Sequence, residues 1–489
     1  MTPPVEAQTS SGRASVGAFA AASIYACVFA ASLIPLCING ACGNSTMSVD
    51  VSLWLYWLSA AALWLILGAA AWTLHRRAPV AIPRAATASG RIVTIAAILG
   101  VALGVRLLVV LTTTPQLSDD MYRYVHDGKT LARGQNPYAA APHDVQGKAH
   151  IDARLIERIN YADLVTIYQP TSQAVFAGVA ALQPSWDDPF GHTSFRLAFV
   201  LLDLLIIVAL LRRLAVEHRS PWWVTLYAWH PLAVSEVAGS GHQDVIGILL
   251  LVVTLLMLTP SAAYVSWPRV VLGAACFAAA IAVKPVVLPL AMPIAWSVRR
   301  QPWSVGLGVC VAATVLVGLY VPFLFMEDGI QGLFDTVKRF VAVWDHNSSA
   351  HALLSEYGGR QMASSVCAGL LGAALMAAMV AGCDVWRVVM VYMFAAILLT
   401  TTAHPWYVLW ALALVPLRFS AALWALSLTI TWSYVAWRDV DAWQVPTWVR
   451  VMIYAPVYGL IVVELVRWWL RREKRPGQQT LVANGAAGF

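Results

Sequence analysis

The chain has 489 residues, 60% of them hydrophobic and only 12% charged, with a mean hydropathy of +0.68. Soluble domains carry roughly twice that charge fraction, so a soluble globular fold is excluded. The net charge of +7 and pI of about 9.1 do not call for nucleic acid. In so apolar a chain, Lys and Arg instead hold topology in cytoplasmic loops and meet anionic lipid.

Apolar runs long enough to cross a hydrocarbon core as helices, about 20 residues, recur along the sequence. Nothing resembles the alternating ten-residue segments of a membrane β-barrel. The expected fold is therefore all-α and polytopic. The first run, 16–38, exceeds the roughly 7–15-residue core of a cleavable signal and reads as a spanning helix. Further helices are expected at 51–74, 92–113, 196–211, 221–237, 244–259, 270–283, 285–297, 303–325, 361–380, 387–403, 405–417, 420–437 and 448–470, about fourteen in all.

Alternate helix ends carry His75-Arg76-Arg77, Arg212-Arg213, Arg269, Arg299-Arg300, Arg387, Arg418 and Arg471-Arg472. All fall on one side if both termini are cytoplasmic, the positive-inside pattern. The weak joint is 270–297. Two short helices turning at Lys284-Pro285 keep Arg269 and Arg299 on the same side, and they place Lys284 outside. The two long polar segments, 114–195 (net charge −3) and 326–360, then face outward too. Residues 476–489 read as a disordered tail. Of the seven cysteines, 27, 37, 42, 276, 310, 367 and 383, five lie in apolar runs, and none forms a metal-binding spacing.

The chemistry concentrates in 117–138. Asp119 and Asp120 follow a long apolar helix, with Ser118 able to cap the next one. Acidic residues at a helix start can simply stabilise it. Here, however, Arg123, Tyr124, His126 and Asp127 continue one polar face, which reads as a site with a catalytic carboxylate. Asp127-Gly128 could alternatively be structural, pairing with a nearby Lys or Arg. Tyr168, Gln169 and Gln173 could line a carbohydrate groove or form an ordinary turn. The same balance holds for Gly241-His242-Gln243-Asp244, between site and capped turn. Lys284 is either a phosphate contact or a snorkelling helix end. His346-Asn347 and His404-Pro405-Trp406-Tyr407 sit at further outer turns, where Trp and Tyr are also expected as interfacial residues. Arg106 and Asp203 read as a buried structural pair, and His230 as a satisfied core histidine.

Taken in order, Asp119-Asp120-Met-Tyr-Arg-Tyr-Val-His-Asp-Gly, Thr166-Ile-Tyr-Gln-Pro, Tyr227-Ala-Trp-His-Pro, Gly241-His-Gln-Asp, Lys284-Pro, Trp344-Asp-His-Asn-Ser and His404-Pro-Trp-Tyr resemble one family. It is the polyprenol-phosphate-sugar-dependent glycosyltransferases of the GT-C superfamily, closest to family 87 and related bacterial mannosyltransferase-like membrane proteins. The resemblance spans roughly 92–417. It departs in having two helices before the usual first one, and His126 where relatives often carry an aromatic.

The resemblance implies a GT-C-type membrane module at 92–325, after an N-terminal hairpin at 1–91 and before a second outer loop and C-terminal helices at 326–475. It also implies an inverting transfer of a sugar, mannose by family weight, from a polyprenyl phosphate to a lipid or glycan hydroxyl outside the inner membrane. Asp120 is similar to the family's base, with Asp119 its neighbour. Lys284, Arg123 and His404 are expected at the donor phosphate. Tyr124, His126, Tyr168, Gln169, Gln173, His242, Asp244, His346, Asn347, Trp406 and Tyr407 are expected around sugar and acceptor. No metal or cofactor is expected, since a single phosphate makes a metal less necessary and no ligand cluster argues for one, and the protein is expected to be a monomer. The rival class is a lipid-linked saccharide transporter or flippase. Such proteins usually show internal repeats and midplane charges, and no repeat is evident here.

Overall fold

The computed structural model describes residues 49–77, 88–115, 117–145, 152–184, 187, 190–259, 264–439 and 443–473. The expected helix at 16–38, the tail at 476–489 and Cys27, Cys37 and Cys42 lie outside them. The fold is all-α. Among the described residues, six helices are long and apolar enough to cross a membrane: α1 (Val49–Arg77), α2 (Ala88–Thr112), α5 (His192–Val216), α9 (Pro302–Leu324), α11 (Ala350–Val380) and α14 (Thr447–Glu473). Shorter apolar helices accompany them, namely α6 (Asp244–Leu258), α7 (Trp267–Ile281), α8 (Ala291–Ser297), α12 (Val385–Leu399) and α13 (Ala421–Thr429). The chain is thus a multi-pass membrane protein.

Several segments expected as continuous helices are broken. Residues 221–239 form Pro221–Val224, Thr225–Ala228, Pro231–Val234 and a wide-turned π segment, Ser235–Gly239. Pro231 has no N–H to extend the helix before it, so His230 turns extended and caps the next piece through Nδ1, which accepts from the Leu232 N–H. Residues 405–417 open with a 3₁₀ turn at Pro405–Val408 before the short helix Leu409–Leu412, and 430–438 is also 3₁₀. At Lys284 the backbone is extended, and Pro285–Leu290 runs as 3₁₀ into α8, so the expected break at Lys284-Pro285 is present.

Buried polar anchors hold the bundle. Arg106 on α2 donates from Nε to Asp203 on α5 at 2.7 Å, both side chains fully buried, and the Tyr227 hydroxyl donates to the other carboxylate oxygen at 2.6 Å. His230 is also bonded at Nε2, to Ser427 at 3.0 Å. Arg196 donates to the carbonyls of Val110 and Thr113 at the end of α2 and to that of Ala238 in the π segment. It therefore fixes the π segment against the point where the chain leaves α2. At the opposite end of α5, Arg418 joins Glu217 and Asp384 at 2.8 Å each. Early and late parts of the chain are joined by aromatic contacts: Trp64 on α1 stacks on Trp424 of α13, and Tyr56 meets Tyr434 edge-on.

The polar segment after α2 is built on two helices, α3 (Asp120–Ala132) and α4 (Pro170–Ala181), packed side by side. Gly128 makes that packing possible, because a Cβ there would stand 2.4 Å from the Phe176 carbonyl oxygen. The remaining amphipathic helix, α10 (Gln331–Val343), follows α9 in the second polar segment.

Candidate active site

Asp120 begins α3, its N–H bonded to the Ser118 hydroxyl at 3.3 Å. One carboxylate oxygen, Oδ1, accepts from the Asn160 side-chain amide at 3.0 Å. The other, Oδ2, lies 4.0 Å from Nε2 of His242. The Asp120 side chain keeps 21% of its surface exposed, so it is held yet reachable. Arg123 supports this from one turn on: its guanidinium donates to the carbonyls of Leu164 at 2.9 Å and Tyr161 at 2.8 Å, fixing the loop that carries Asn160. Arg123 was expected at a phosphate. It is instead buried and engaged with backbone, because a planar five-donor group satisfies two converging carbonyls well.

Asp119 stands beside Asp120. Burial, then the Asp120 charge, raise its carboxyl to a pKa of about 6, against a smaller pull from Arg158.

His242 is fully buried, and Gly241 before it has φ +70°, a backbone conformation that glycine adopts without strain. A Cβ at 241 would also strike Met121 of α3, so the glycine lets the two segments meet. The imidazole stacks on Trp406 at 3.8 Å, which continues through His404 at 4.2 Å and His346 at 4.7 Å to Trp443 at 5.9 Å. Segments distant in sequence thus build one column of rings ending at Asp120. His346 and Asn347 are clipped to 401–403: the His346 N–H donates to Thr401, the Ala403 N–H to His346, and the Asn347 amide to Ala403. Burial pushes the His346 pKa down to about 4. His404 is held well below the usual histidine range by burial and by the neighbouring His346, His242 and Lys284. Both rings are neutral near pH 7.

Lys284 reaches Asp244 at 2.9 Å and lies over the Tyr407 ring at 3.4 Å, with a quarter of its side chain exposed. Asp244 also accepts from the Trp410 indole at 2.6 Å. A single lysine therefore presents a cation beside His404 and Tyr407 without leaving Asp244 unpaired.

The remaining expected residues serve packing and connection. Tyr124 is buried, stacked on Phe176 at 4.7 Å and edge-on to Tyr168 at 4.8 Å. His126 contacts Asp127 at 3.3 Å; Asp127 accepts from the Gln173 amide at 3.0 Å, in place of the Lys or Arg partner that its structural alternative called for. Gln169 accepts from the Tyr320 hydroxyl, Ser172 donates to Gln243, and the Thr171 N–H to Ala282. These amides and hydroxyls tie the polar segment to the turns bearing His242 and Lys284. Gln169 and Gln173 are buried and so do not line an open groove.

Three residues escaped the sequence reading: Asn160, Trp410 and Glu236. Glu236 carried a visible signal, as a lone carboxylate in the apolar run 231–239. Asn160 carried none, since its role depends on the Arg123 strap. Among the described residues no group of three or more His, Cys, Asp or Glu could hold a metal ion.

The chemistry available is that of a carboxylate with one fixed and one free oxygen, a nearby cation and a wall of neutral rings. That suits proton abstraction from a hydroxyl beside a departing anion. No curated protein and no solved structure matches the chain. A family profile, described as α-(1→6)-mannopyranosyltransferase, N-terminal domain, matches residues 14–300. That match takes in Asp120, Asn160, Glu236, His242 and Lys284 and covers more than half of the sequence, so the chain belongs to the α-(1→6)-mannopyranosyltransferase family and is a membrane-embedded hexosyltransferase.

Proposed function

We propose that this enzyme transfers mannose from a polyprenyl-phosphate donor to a hydroxyl of a lipid-borne or glycan acceptor, with inversion, on the extracytoplasmic side of the membrane. The carrying observation is Asp120: a carboxylate fixed by Asn160 through one oxygen, its other oxygen free, at the point where the chain leaves a spanning helix. Asp120 takes the proton from the acceptor hydroxyl as that oxygen bonds to the anomeric carbon. The bond to the phosphate oxygen breaks and its electron pair leaves with the phosphate. Attack from the face opposite the phosphate inverts the centre, so an α product requires a β-configured donor.

Lys284 is the group placed to stabilise the departing phosphate, and His404, neutral, can donate a hydrogen bond to it. His346, Trp406 and Tyr407 wall the sugar. The arrangement of the basic helix ends supports a cytoplasmic side opposite Asp120. In this reading 92–325 is the catalytic GT-C-type module, and 326–475 completes the site through His346, His404 and Trp406.

The test is transfer of labelled mannose from polyprenyl-phosphate mannose to a mannosylated lipid in proteoliposomes of the purified protein. Labelled product is expected from the wild type, and a loss of about 10²–10⁴-fold from Asp120→Asn. Movement of the donor between leaflets with no glycosidic bond formed would overturn the assignment.

A further inference from the structure

Glu236 stands out among the described residues. It is fully buried, and neither of its carboxylate oxygens has an aligned hydrogen bond. Its near neighbour is His242, whose Nδ1 lies 2.8 Å from Oε2 but out of line for a well-formed bond. The other ring nitrogen, Nε2, faces Asp120 Oδ2 at 4.0 Å. The three side chains therefore stand in series.

A purely structural role does not account for the pair. The turn it occupies is already closed by backbone, with the His242 N–H donating to the Glu236 carbonyl at 2.9 Å and Ser240 to Ser235 at 2.8 Å. Apolar residues would fill the same volume without the desolvation cost of two buried ionisable groups. Carboxylates nearby, Asp120 and Asp244, add repulsion to that cost, and Lys284 pairs with Asp244 at 2.9 Å, not with Glu236. On the other side His404 packs behind Trp406 as a neutral ring.

We propose that His242, backed by Glu236, receives from Asp120 the proton taken from the acceptor hydroxyl. This inference rests on Asp120 being the base. At rest the His242 proton sits on Nδ1, toward the Glu236 carboxylate, and the Nε2 lone pair faces Asp120. During transfer the acceptor O–H bond breaks, its proton joins Asp120, and the acceptor oxygen bonds to the anomeric carbon as the phosphate departs with its electron pair. The proton then passes from Oδ2 to Nε2 once a closure of about 1 Å brings them within hydrogen-bond reach. Asp120 is a carboxylate again, and the charge formed is an imidazolium between Glu236 and the face of Trp406, which favours a cation. Removing the proton from Asp120 makes return of the product hydroxyl's proton less favourable, so His242 acts as a sink for the forward step.

The test measures kcat and KM for donor and acceptor in proteoliposomes for wild type, Asp120→Asn, Glu236→Gln and the double variant. Glu236→Gln is expected to lower kcat by at least about tenfold with both KM values unchanged, and to cause no further loss in the Asp120→Asn background. An equal loss in both backgrounds, or a retained kcat, overturns the relay. Retained activity in Asp120→Asn instead overturns the assignment of the base on which it rests. If Glu236→Gln lowers the thermal midpoint, ¹⁵N solid-state spectra of histidine-labelled wild-type protein decide, with His242 assigned by difference from His242→Gln. A bare Nε2 is expected, and a protonated Nε2 with bare Nδ1 refutes the proposal.

Discussion

Replacing Asp119 by Asn tests the electrostatics of the paired carboxylates directly. The Asp119 carboxyl is raised from 3.8 to about 6 by burial and by Asp120. An acid whose folded pKa lies above its unfolded value binds its proton more tightly in the fold. Below about pH 3.8 it is protonated in both states and contributes no pH-dependent penalty. As pH rises toward 6 the unfolded chain has ionised while the fold has not, and stability falls. Above about pH 6 the penalty is complete. A rise from 3.8 to about 6 corresponds to about 3 kcal/mol. Partial access to water reduces the gain from removing it to about 1–2 kcal/mol. The amide is nearly isosteric, and the backbone bond from the Tyr122 N–H to the Asp119 carbonyl is retained. Asp119→Asn is therefore expected to raise the thermal midpoint at pH 8 and to leave it nearly unchanged at pH 4, measured by tryptophan fluorescence in detergent. A midpoint equal to or below that of the wild type at pH 8, or the same gain at both pH values, refutes the reasoning.

Arg106→Met strands the buried Asp203 carboxylate and should cost about 3–5 kcal/mol, read as loss of the folded peak in size-exclusion after heating; adding Asp203→Leu should recover much of it. Gly128→Ala forces α3 away from the Phe176 carbonyl and should cost about 1–3 kcal/mol in thermal unfolding, with a parallel loss of transfer activity. Lys284→Met should lower transfer by about 10²-fold, whereas Lys284→Arg, which keeps a cation beside Tyr407, should lose less; equal losses in the two would remove the charge from the account.

The sequence made the membrane class readable because hydrophobic length follows from one physical constraint, the thickness of the bilayer. The Lys284-Pro285 break was readable too, since proline chemistry is local. The finer segmentation was not. Residues 221–239 are apolar enough to read as one helix, and the π segment's Ala238 carbonyl accepts from Arg196 on another helix, a contact no local pattern announces. In the site, Asp120, His242 and Trp406, which the structure brings together, stood out because their local motifs are polar at an apolar boundary. The meaning of Arg123, Gln169 and Gln173 was misread for the same reason. Polarity marks a residue as unusual, but only the neighbouring carbonyls of Tyr161 and Leu164, or the hydroxyl of Tyr320, show that its hydrogen bonds close inside the protein.

The π segment at 235–239 is in effect a helix carrying one extra residue. Helical register advances by about 100° per residue. Shortening the segment by a single residue would swing whatever precedes it a quarter-turn or more relative to Gly241, and Glu236 would face lipid or bundle in place of His242. Substitutions here alter one side chain, whereas a change in length alters the aim of all of them. Length in this stretch is accordingly the quantity the fold must guard most closely, more than the identity of the apolar residues Val237 and Ala238 that fill it.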